Sequence, residues 1–154
     1  MTEVNQVQQV VQSLRDLAAA QSDLGRAFAR SQRMHPTDAT AIVEIINAEQ
    51  RGHPLTPARL AERIALTTGA TSILLNRLEQ AGHIARTREH SDRRIVTLRS
   101  TSDIHAAAAA FFEPLAHRLT AALADYSPAD LQLINSAATR LHSTMTTYMD
   151  ELDT

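Results

Sequence analysis

The hydrophobic pattern of the chain predicts six helices, because apolar side chains recur at helical spacing in six separate segments. Short polar side chains that can cap a helix stand at the start of most of these segments. The predicted starts are near Val4, at Thr37 or Asp38, at Thr56, at Thr67 or Thr68, at Ser102 and at Ser127.

Proline and glycine mark where the helices are expected to end. The first helix runs from about Val4 to Met34 and should end at His35-Pro36, since the residue before a proline is pushed out of helical geometry. Gly82 stands where a left-handed residue is needed after the fourth helix. Pro114 should kink or break the fifth helix, because proline lacks an N–H and its ring crowds the preceding turn.

Two short strands are predicted after the fourth helix, at His83–Arg88 and Ile95–Leu98, with the polar loop Glu89–Arg93 between them. Helices followed by such a hairpin are typical of a winged helix-turn-helix, which places one helix in the major groove of DNA. The predicted fold is therefore mainly α, with a small two- to three-stranded β-wing. We expect one domain over 1–154, with the winged lobe at 37–100 and helical regions at 1–35 and 101–154.

Charge is distributed unevenly along the 154 residues, although the formal net charge is only −2. Residues 51–100 hold nine arginines and four acidic residues, so this part carries +5 and the rest carries −7. A basic segment within an acidic chain favours a local nucleic-acid contact. The alternative is a solvated basic face without a partner.

Several other classes of protein are disfavoured by the sequence. The chain has no cysteine, which argues against disulfides, thiol redox sensing and cysteine zinc sites. The seven histidines are scattered, and no phosphate-binding glycine loop, nucleophile elbow or zinc-protease pattern is present. Met1–Gln12 does not resemble a signal peptide, and no segment is apolar enough to span a bilayer. We expect a cytoplasmic protein that is not an enzyme, has no cofactor or metal and does not associate with membranes.

The fourth helix and the wing supply the candidate DNA-binding residues. Short polar side chains at a helix N-terminus can reach base edges or phosphates, asparagine can pair with adenine, and arginine can bind guanine or enter a narrow minor groove. Asp92 is expected to orient an arginine by a charge-assisted hydrogen bond. An ordinary amphipathic helix and a surface ion pair without function are the alternatives. The candidates are Thr67, Thr68, Ala70, Thr71, Ser72, Ile73, Asn76, Arg77, Arg86, Arg88, Asp92, Arg93 and Arg94.

Residues 55–98 resemble the multiple-antibiotic-resistance regulator (MarR) family of winged helix-turn-helix transcriptional regulators. Three motifs carry the resemblance at matching spacing: Leu60-Ala61, Arg77-Leu78-Glu79-Gln80-Ala81-Gly82 and Asp92-Arg93-Arg94. The chain departs from the family at Ile73, where a polar or basic residue is frequent. Apolar contact with bases is therefore expected to contribute more to recognition.

The resemblance implies a homodimeric repressor that binds a pseudo-palindromic double-stranded DNA operator and is released by a small aromatic or anionic effector. The terminal helices also carry more apolar residues than one small lobe can cover, which independently favours dimerisation. The implied effector pocket comprises Arg30, Met34, His35, Ile42, Ile46 and Phe111. The alternative function is a winged-helix protein-interaction module without DNA binding.

Overall fold

The computed structural model describes residues 3–153. The predicted mainly α winged helix-turn-helix is confirmed. Over these residues the elements are α1 (Glu3–Ser31), α2 (Pro36–Gln50), α3 (Pro57–Arg63), α4 (Thr68–Gln80), β1 (Ile84–Thr87), β2 (Thr97–Ser100), α5 (Ser102–Ala122) and α6 (Pro128–Leu152). The chain divides into two compact units between Phe111 and Phe112. Residues 1, 2 and 154 of the predicted domain lie outside the described residues.

The first unit has a core that every one of its elements joins. Helix α1 packs on α2, α2 packs on α3 and β2, and α4 packs on α3 and β1. The ring of Phe28 meets that of Phe111 at a centroid distance of 5.3 Å. Burial of these apolar side chains, at about 1.5–3 kcal/mol each, holds the helices together. The largest fully buried side chains are Phe28, Ile42, Ile45, Leu60, Leu75, Leu78, Leu98 and Thr71.

Three helices begin where the capping signals predicted. The side-chain oxygens of Thr56, Thr67 and Ser127 each accept a hydrogen bond from the backbone N–H three residues later. At α2 the prediction is wrong. That helix begins at Pro36 with His35 as its N-cap, and neither Thr37 nor Asp38 caps it. Proline at the first position needs no N–H partner, which leaves Asp38 free to bond elsewhere.

The end of α1 also differs from the prediction. It ends at Ser31, before His35-Pro36, because Arg33 takes a left-handed conformation with φ +54°. The N–H of Met34 then donates to the carbonyl of Ala29, which closes the helix end. Glycine serves the same purpose after α4, where Gly82 has φ +77° as expected.

Pro114 lies inside α5 and does not break it, so a break at this residue is ruled out. Its missing N–H leaves one carbonyl of the preceding turn without its intrahelical partner, while the helix continues to Ala122.

The hairpin is antiparallel, and its register pairs Ile84 with Ser100 and Thr87 with Thr97. The second strand lies two residues later than predicted, because the N–H of Ile95 donates to the carbonyl of Asp92 and belongs to the turn. The N–H of Leu98 donates to the carbonyl of Leu55, a single bond that ties the wing to the segment before α3. The sheet itself has two strands over the described residues.

In the second unit, every described side chain from 116 to 153 is exposed. The apolar ones on α6 recur at alternating three- and four-residue spacing, which places them along one side of the helix. The members of this apolar stripe, called the α6 seam below, are Leu131, Ile134, Ala138, Leu141, Met145, Tyr148 and Leu152.

Within residues 3–153, no helix has the length and apolar character needed to cross a membrane.

Candidate nucleic-acid interface

Helix α4 presents a buried and an exposed face, as its pattern predicted. Leu74, Leu75 and Leu78 are in the core, and Ile73 is 66% exposed on the opposite side. The hydroxyl oxygen of Thr67 accepts from the N–H of Ala70 and fixes the start of the helix. The exposed face carries small and polar residues that leave room for a close approach: Thr68, Gly69, Ala70, Ser72 and Asn76.

Thr71 was among the candidate DNA contacts, and the structure corrects this. It is only 2% exposed, and its hydroxyl donates to the carbonyl of Thr67 at 2.8 Å. A buried hydroxyl that already donates cannot reach a base edge. Thr71 therefore belongs to the packed side of α4.

Arg77 is held by α2. Its guanidinium Nε donates to Oδ2 of Asp38 at 2.8 Å, and Nη2 donates to Oδ1 of the same carboxylate. Asp38 is 4% exposed, so this bidentate pair satisfies a buried charge. Both guanidinium contacts orient α4, the recognition helix, on α2, which differs from the contact with the major groove or its phosphates predicted for Arg77.

Arg86 connects the wing to the recognition helix. Its Nη2 donates to Oδ1 of Asn76 at 2.9 Å, and its Nε lies 3.4 Å from Oε2 of Glu79. Two residues predicted as separate DNA contacts, Arg86 and Asn76, are therefore bonded to each other.

The wing tip is organised by Asp92. This carboxylate accepts from the backbone N–H of Arg94 at 3.0 Å and from the Arg94 guanidinium at 3.2 Å. These hydrogen bonds lower the pKa of Asp92. The Arg94 side chain stays 92% exposed, so Asp92 orients the arginine and leaves it accessible. This geometry matches the orienting role expected for Asp92.

Arg88 and Arg93 bond each other's backbone across the loop. Nη1 of Arg93 donates to the carbonyl of Arg88 at 3.0 Å, and Nη1 of Arg88 donates to the carbonyl of Arg93. Neither Arg88 nor Arg93 belongs to an ion pair within the described residues. Their positive charges are thus not neutralised by an ion pair, which makes the wing a suitable contact for DNA phosphates.

Glu89 holds the base of the wing, a role that the sequence did not reveal. Its carboxylate accepts two hydrogen bonds from Arg99 at 2.8 Å and one from the hydroxyl of Thr87 at 2.6 Å. The Arg99 bonds first, and then the Thr87 bond, lower the pKa of Glu89 to about 2. Glu89 lies two residues beyond the end of β1 and ten residues before Arg99, so only the fold of the hairpin reveals that the two side chains meet.

Glu49 on α2 is a second residue that the sequence did not reveal. It accepts from the backbone N–H of Ser100 at 2.9 Å and from its hydroxyl at 2.5 Å. The wing is therefore anchored to α2 at the end of β2, and no local pattern predicts a contact over 51 residues.

The six predicted effector residues differ in how far they are buried. Ile42 and Ile46 are core side chains, 0% and 6% exposed, and Phe111 packs on Phe28, while Arg30 and His35 are exposed and Met34 is half-buried. Burial of the two isoleucines in the core corrects their assignment to an open pocket. An open-sided cavity of about 270 Å³ lies beside α4 and shares only His35 with that set. It is lined by His35, Thr37, Leu66, Ala70, Ile73, Leu74 and Arg77.

Comparison with known proteins finds the same architecture. The sequence model of the MarR family matches residues 34–95. An uncharacterized HTH-type transcriptional regulator of Bacillus subtilis, YcgE, is 29% identical over 126 residues, covering 82% of this chain and 79% of that protein. A MarR family protein from Bacillus stearothermophilus has a TM-score of 0.66 at 21% identity, over 95% of this chain and 99% of that one. An S. aureus MepR variant bound to an oligodeoxyribonucleotide has a TM-score of 0.54 at 16% identity, over 88% and 97%.

Proposed function

Because residues 34–95 match the MarR family of DNA-binding transcriptional regulators, we propose that the chain is a homodimeric repressor of a pseudo-palindromic operator. Each subunit places α4 in a major groove and its wing against the adjacent minor groove. A repressor of this kind acts by occupying promoter DNA, so it needs binding groups and no catalytic ones.

The arrangement of α4 and the wing carries this proposal. Apart from Ile73, the exposed face of α4 carries small and polar residues, so the helix can approach base edges closely. Arg88 and Arg93 supply unneutralised charge beside it, and Arg94 is held outward by Asp92. The solved MepR variant that resembles this chain was bound to an oligodeoxyribonucleotide, which supports the same use of the fold.

The α6 seam supports the homodimer. Its residues repeat with the spacing by which two helices pack side by side, and Leu141, Met145 and Tyr148 are all exposed in the single chain. An uncovered stripe of this size is costly in water, and a second copy covers it with the same residues.

The cavity beside α4 is where we propose that an effector acts. A volume of about 270 Å³ admits a small ring compound, and Leu66, Ile73 and Leu74 give it apolar walls. Asp38 already neutralises Arg77, so a neutral aromatic ligand is favoured over an anion. Such a ligand would contact Ile73 on the DNA-facing side. If the proposal is correct, benzamide lowers DNA affinity more than benzoate does, and equal or absent effects of the two would contradict it.

The proposed function is tested by binding to a fluorescent duplex of the protein's own upstream region, with a scrambled duplex beside it. We expect preference for the upstream duplex and an affinity that falls steeply between about 50 and 200 mM salt, since phosphate contacts release counterions. Arg93→Gln should weaken binding to both duplexes and reduce the salt slope by about one per wing. Arg59→Gln, which removes an arginine paired on α3, is the matched control.

The outcomes of this experiment separate the candidate functions. If the protein binds both duplexes equally, the next experiment is selection of binding sequences from a random duplex library. Failure to enrich any sequence in that selection would refute the proposal of a sequence-specific regulator. Absence of salt-sensitive binding at low salt would favour the alternative, a winged-helix module that binds protein.

A further inference from the structure

Arg86 lies where the wing meets the recognition helix, and its two side-chain contacts are both with α4. We propose that Arg86 is a positioning residue that fixes the amide of Asn76 as a hydrogen-bond donor toward the major groove. The proposal rests on the proposed function and concerns which base α4 prefers. It replaces the direct DNA contact expected for Arg86.

The chemistry of the two side chains sets the orientation of the amide. A guanidinium group has five N–H donors and no acceptor, so the Asn76 atom that faces it must be the oxygen. The 2.9 Å distance from Arg86 Nη2 to Asn76 Oδ1 fits such a bond. The amide nitrogen of Asn76, with its two N–H bonds, is the group left for DNA.

Glu79 keeps Arg86 in this position. Its carboxylate lies 3.4 Å from Nε of Arg86, while the Arg86 side chain is 31% exposed. The backbone of Arg86 is also held in place, because Arg86 is paired with the buried Leu98 across the β1–β2 hairpin. Because the charge of this guanidinium is balanced by a carboxylate, its attraction for a phosphate group is weakened.

A fixed donor distinguishes bases in the major groove. Adenine presents N7 as an acceptor and N6–H as a donor, so pairing with asparagine requires a free amide oxygen. Guanine presents two acceptors, N7 and O6, which both suit the amide N–H groups. Donation from Arg86 polarises the amide, which strengthens its N–H groups as donors and weakens its oxygen as an acceptor. Asn76 therefore favours guanine over adenine at the base it meets.

The test starts by selecting duplexes from a random library with the wild-type protein. Asn76→Ala then identifies the base pair whose preference depends on Asn76. At that pair we expect wild-type protein to prefer guanine to adenine by roughly five- to tenfold, and to lose most of that preference when 7-deazaguanine replaces guanine. Arg86→Met frees the amide oxygen and should shift the preference toward adenine, whereas Arg86→Lys, which keeps a charged donor, should retain part of it.

Arg88→Met is the matched control, since it removes the same charge from the neighbouring wing position without touching Asn76. We expect this variant to weaken binding to all duplexes alike and to leave the base preference unchanged. Should Arg86→Met fail to fold, Asn76→Asp serves instead. It keeps the bond to Arg86 but has no N–H, and should abolish the guanine preference.

The results also distinguish this inference from the proposed function. If wild-type protein enriches no sequence, the proposed function itself fails. If sequences are enriched but Asn76→Ala changes no base preference, or Arg86→Met behaves as Arg88→Met does, Arg86 is a phosphate contact and the inference is overturned.

Discussion

The winged lobe and the C-terminal unit treat their apolar residues in opposite ways. Between residues 37 and 100, the winged lobe, Ile73 is the one large apolar side chain that is exposed. From 116 to 153 no described side chain is buried, although leucine, isoleucine and methionine are frequent there. The lobe satisfies its own hydrophobic pattern, whereas the second unit carries a pattern that one chain leaves unsatisfied. An exposed stripe of this kind indicates a surface that another molecule covers.

The polar residues differ in the same way. In the lobe, charged side chains join separate elements: Asp38 joins α2 to α4, and Glu49 joins α2 to β2. In the second unit, the charged contact that shapes the backbone is local, where Asp130 and Ser127 cap the start of α6. The lobe is therefore fixed by tertiary contacts, and α6 by its own backbone and cap.

The largest expected effect is on the α6 seam. Leu141→Glu should weaken self-association by about 3–6 kcal/mol, since two leucines per dimer lose burial worth about 1.5–3 kcal/mol each. Sedimentation equilibrium should then show mainly monomer under conditions where we expect wild-type protein to be a dimer. Leu133→Glu is the control, because Leu133 is 70% exposed and lies off the seam. Equal dissociation in both variants, or in neither, would show that the seam is not the interface.

Within the lobe, the Asp38–Arg77 pair should give the next largest effect. Arg77→Ala leaves a carboxylate that is 4% exposed without its partner, which costs about 1–3 kcal/mol of unfolding free energy. Half of the Arg77 side chain is exposed, so we expect the lower part of that range. Urea denaturation measures it. Arg59→Ala breaks a fully surface pair with Glu62 and should cost less than about 1 kcal/mol. A similar loss in both would mean that the pair does not hold α4.

The turn between α3 and α4 offers a gain in stability. Ala65 has φ +53°, and a left-handed conformation costs a residue with a Cβ about 1–2 kcal/mol. Ala65→Gly should therefore raise the unfolding free energy by about 0.5–1 kcal/mol, after the greater freedom of glycine in the unfolded chain is subtracted. Ala81→Gly is the matched control, because Ala81 is right-handed with φ −73° and should lose stability. If both substitutions changed the unfolding free energy in the same direction, this account would be contradicted.

Local signals in the sequence predicted most of the fold. The sequence predicted the helix caps at Thr56, Thr67 and Ser127, because each hydroxyl bonds a backbone N–H only three residues later in the chain. The α4 stripe was also predictable, since Leu74, Leu75 and Leu78 follow the helical period. The end of α1 was not, because left-handed residues other than glycine, such as Arg33, leave little trace in the sequence.

Side-chain pairing explains where prediction of the candidate site failed. Arg77 and Arg86 were expected to face DNA, and both are bonded to other side chains, over 39 residues in one case and ten in the other. Thr71 was included because its residue type suits DNA, although its position in the stripe buries it. A sequence shows which residues are charged or polar, but the availability of each charge depends on partners that only the tertiary structure brings together.

The smallest expected effect concerns the base of the wing and depends on pH. The folded structure lowers the pKa of Glu89 from 4.5 to about 2, so ionised Glu89 stabilises the native state above pH 4.5. This contribution is lost as the pH falls from 4.5 toward 2, because protonation removes the charge that Arg99 binds. Glu89→Gln should lower the melting temperature slightly at pH 7, and the difference from wild-type protein should shrink as the pH falls through that range.

Arg99→Gln tests the same contact from the other side. If the hydrogen bonds from Arg99 are the main cause of the lowered pKa of Glu89, Arg99→Gln should remove as much of the pH dependence of the melting temperature as Glu89→Gln does. The double variant Glu89→Gln/Arg99→Gln should remove no more than either single variant. Thermal unfolding followed by circular dichroism at several pH values measures this coupling. A difference between wild type and Glu89→Gln that stays constant from pH 7 to about 2 would mean that Glu89 acts through its shape and not its charge. The base of the wing would then be stabilised without an electrostatic contribution from Glu89.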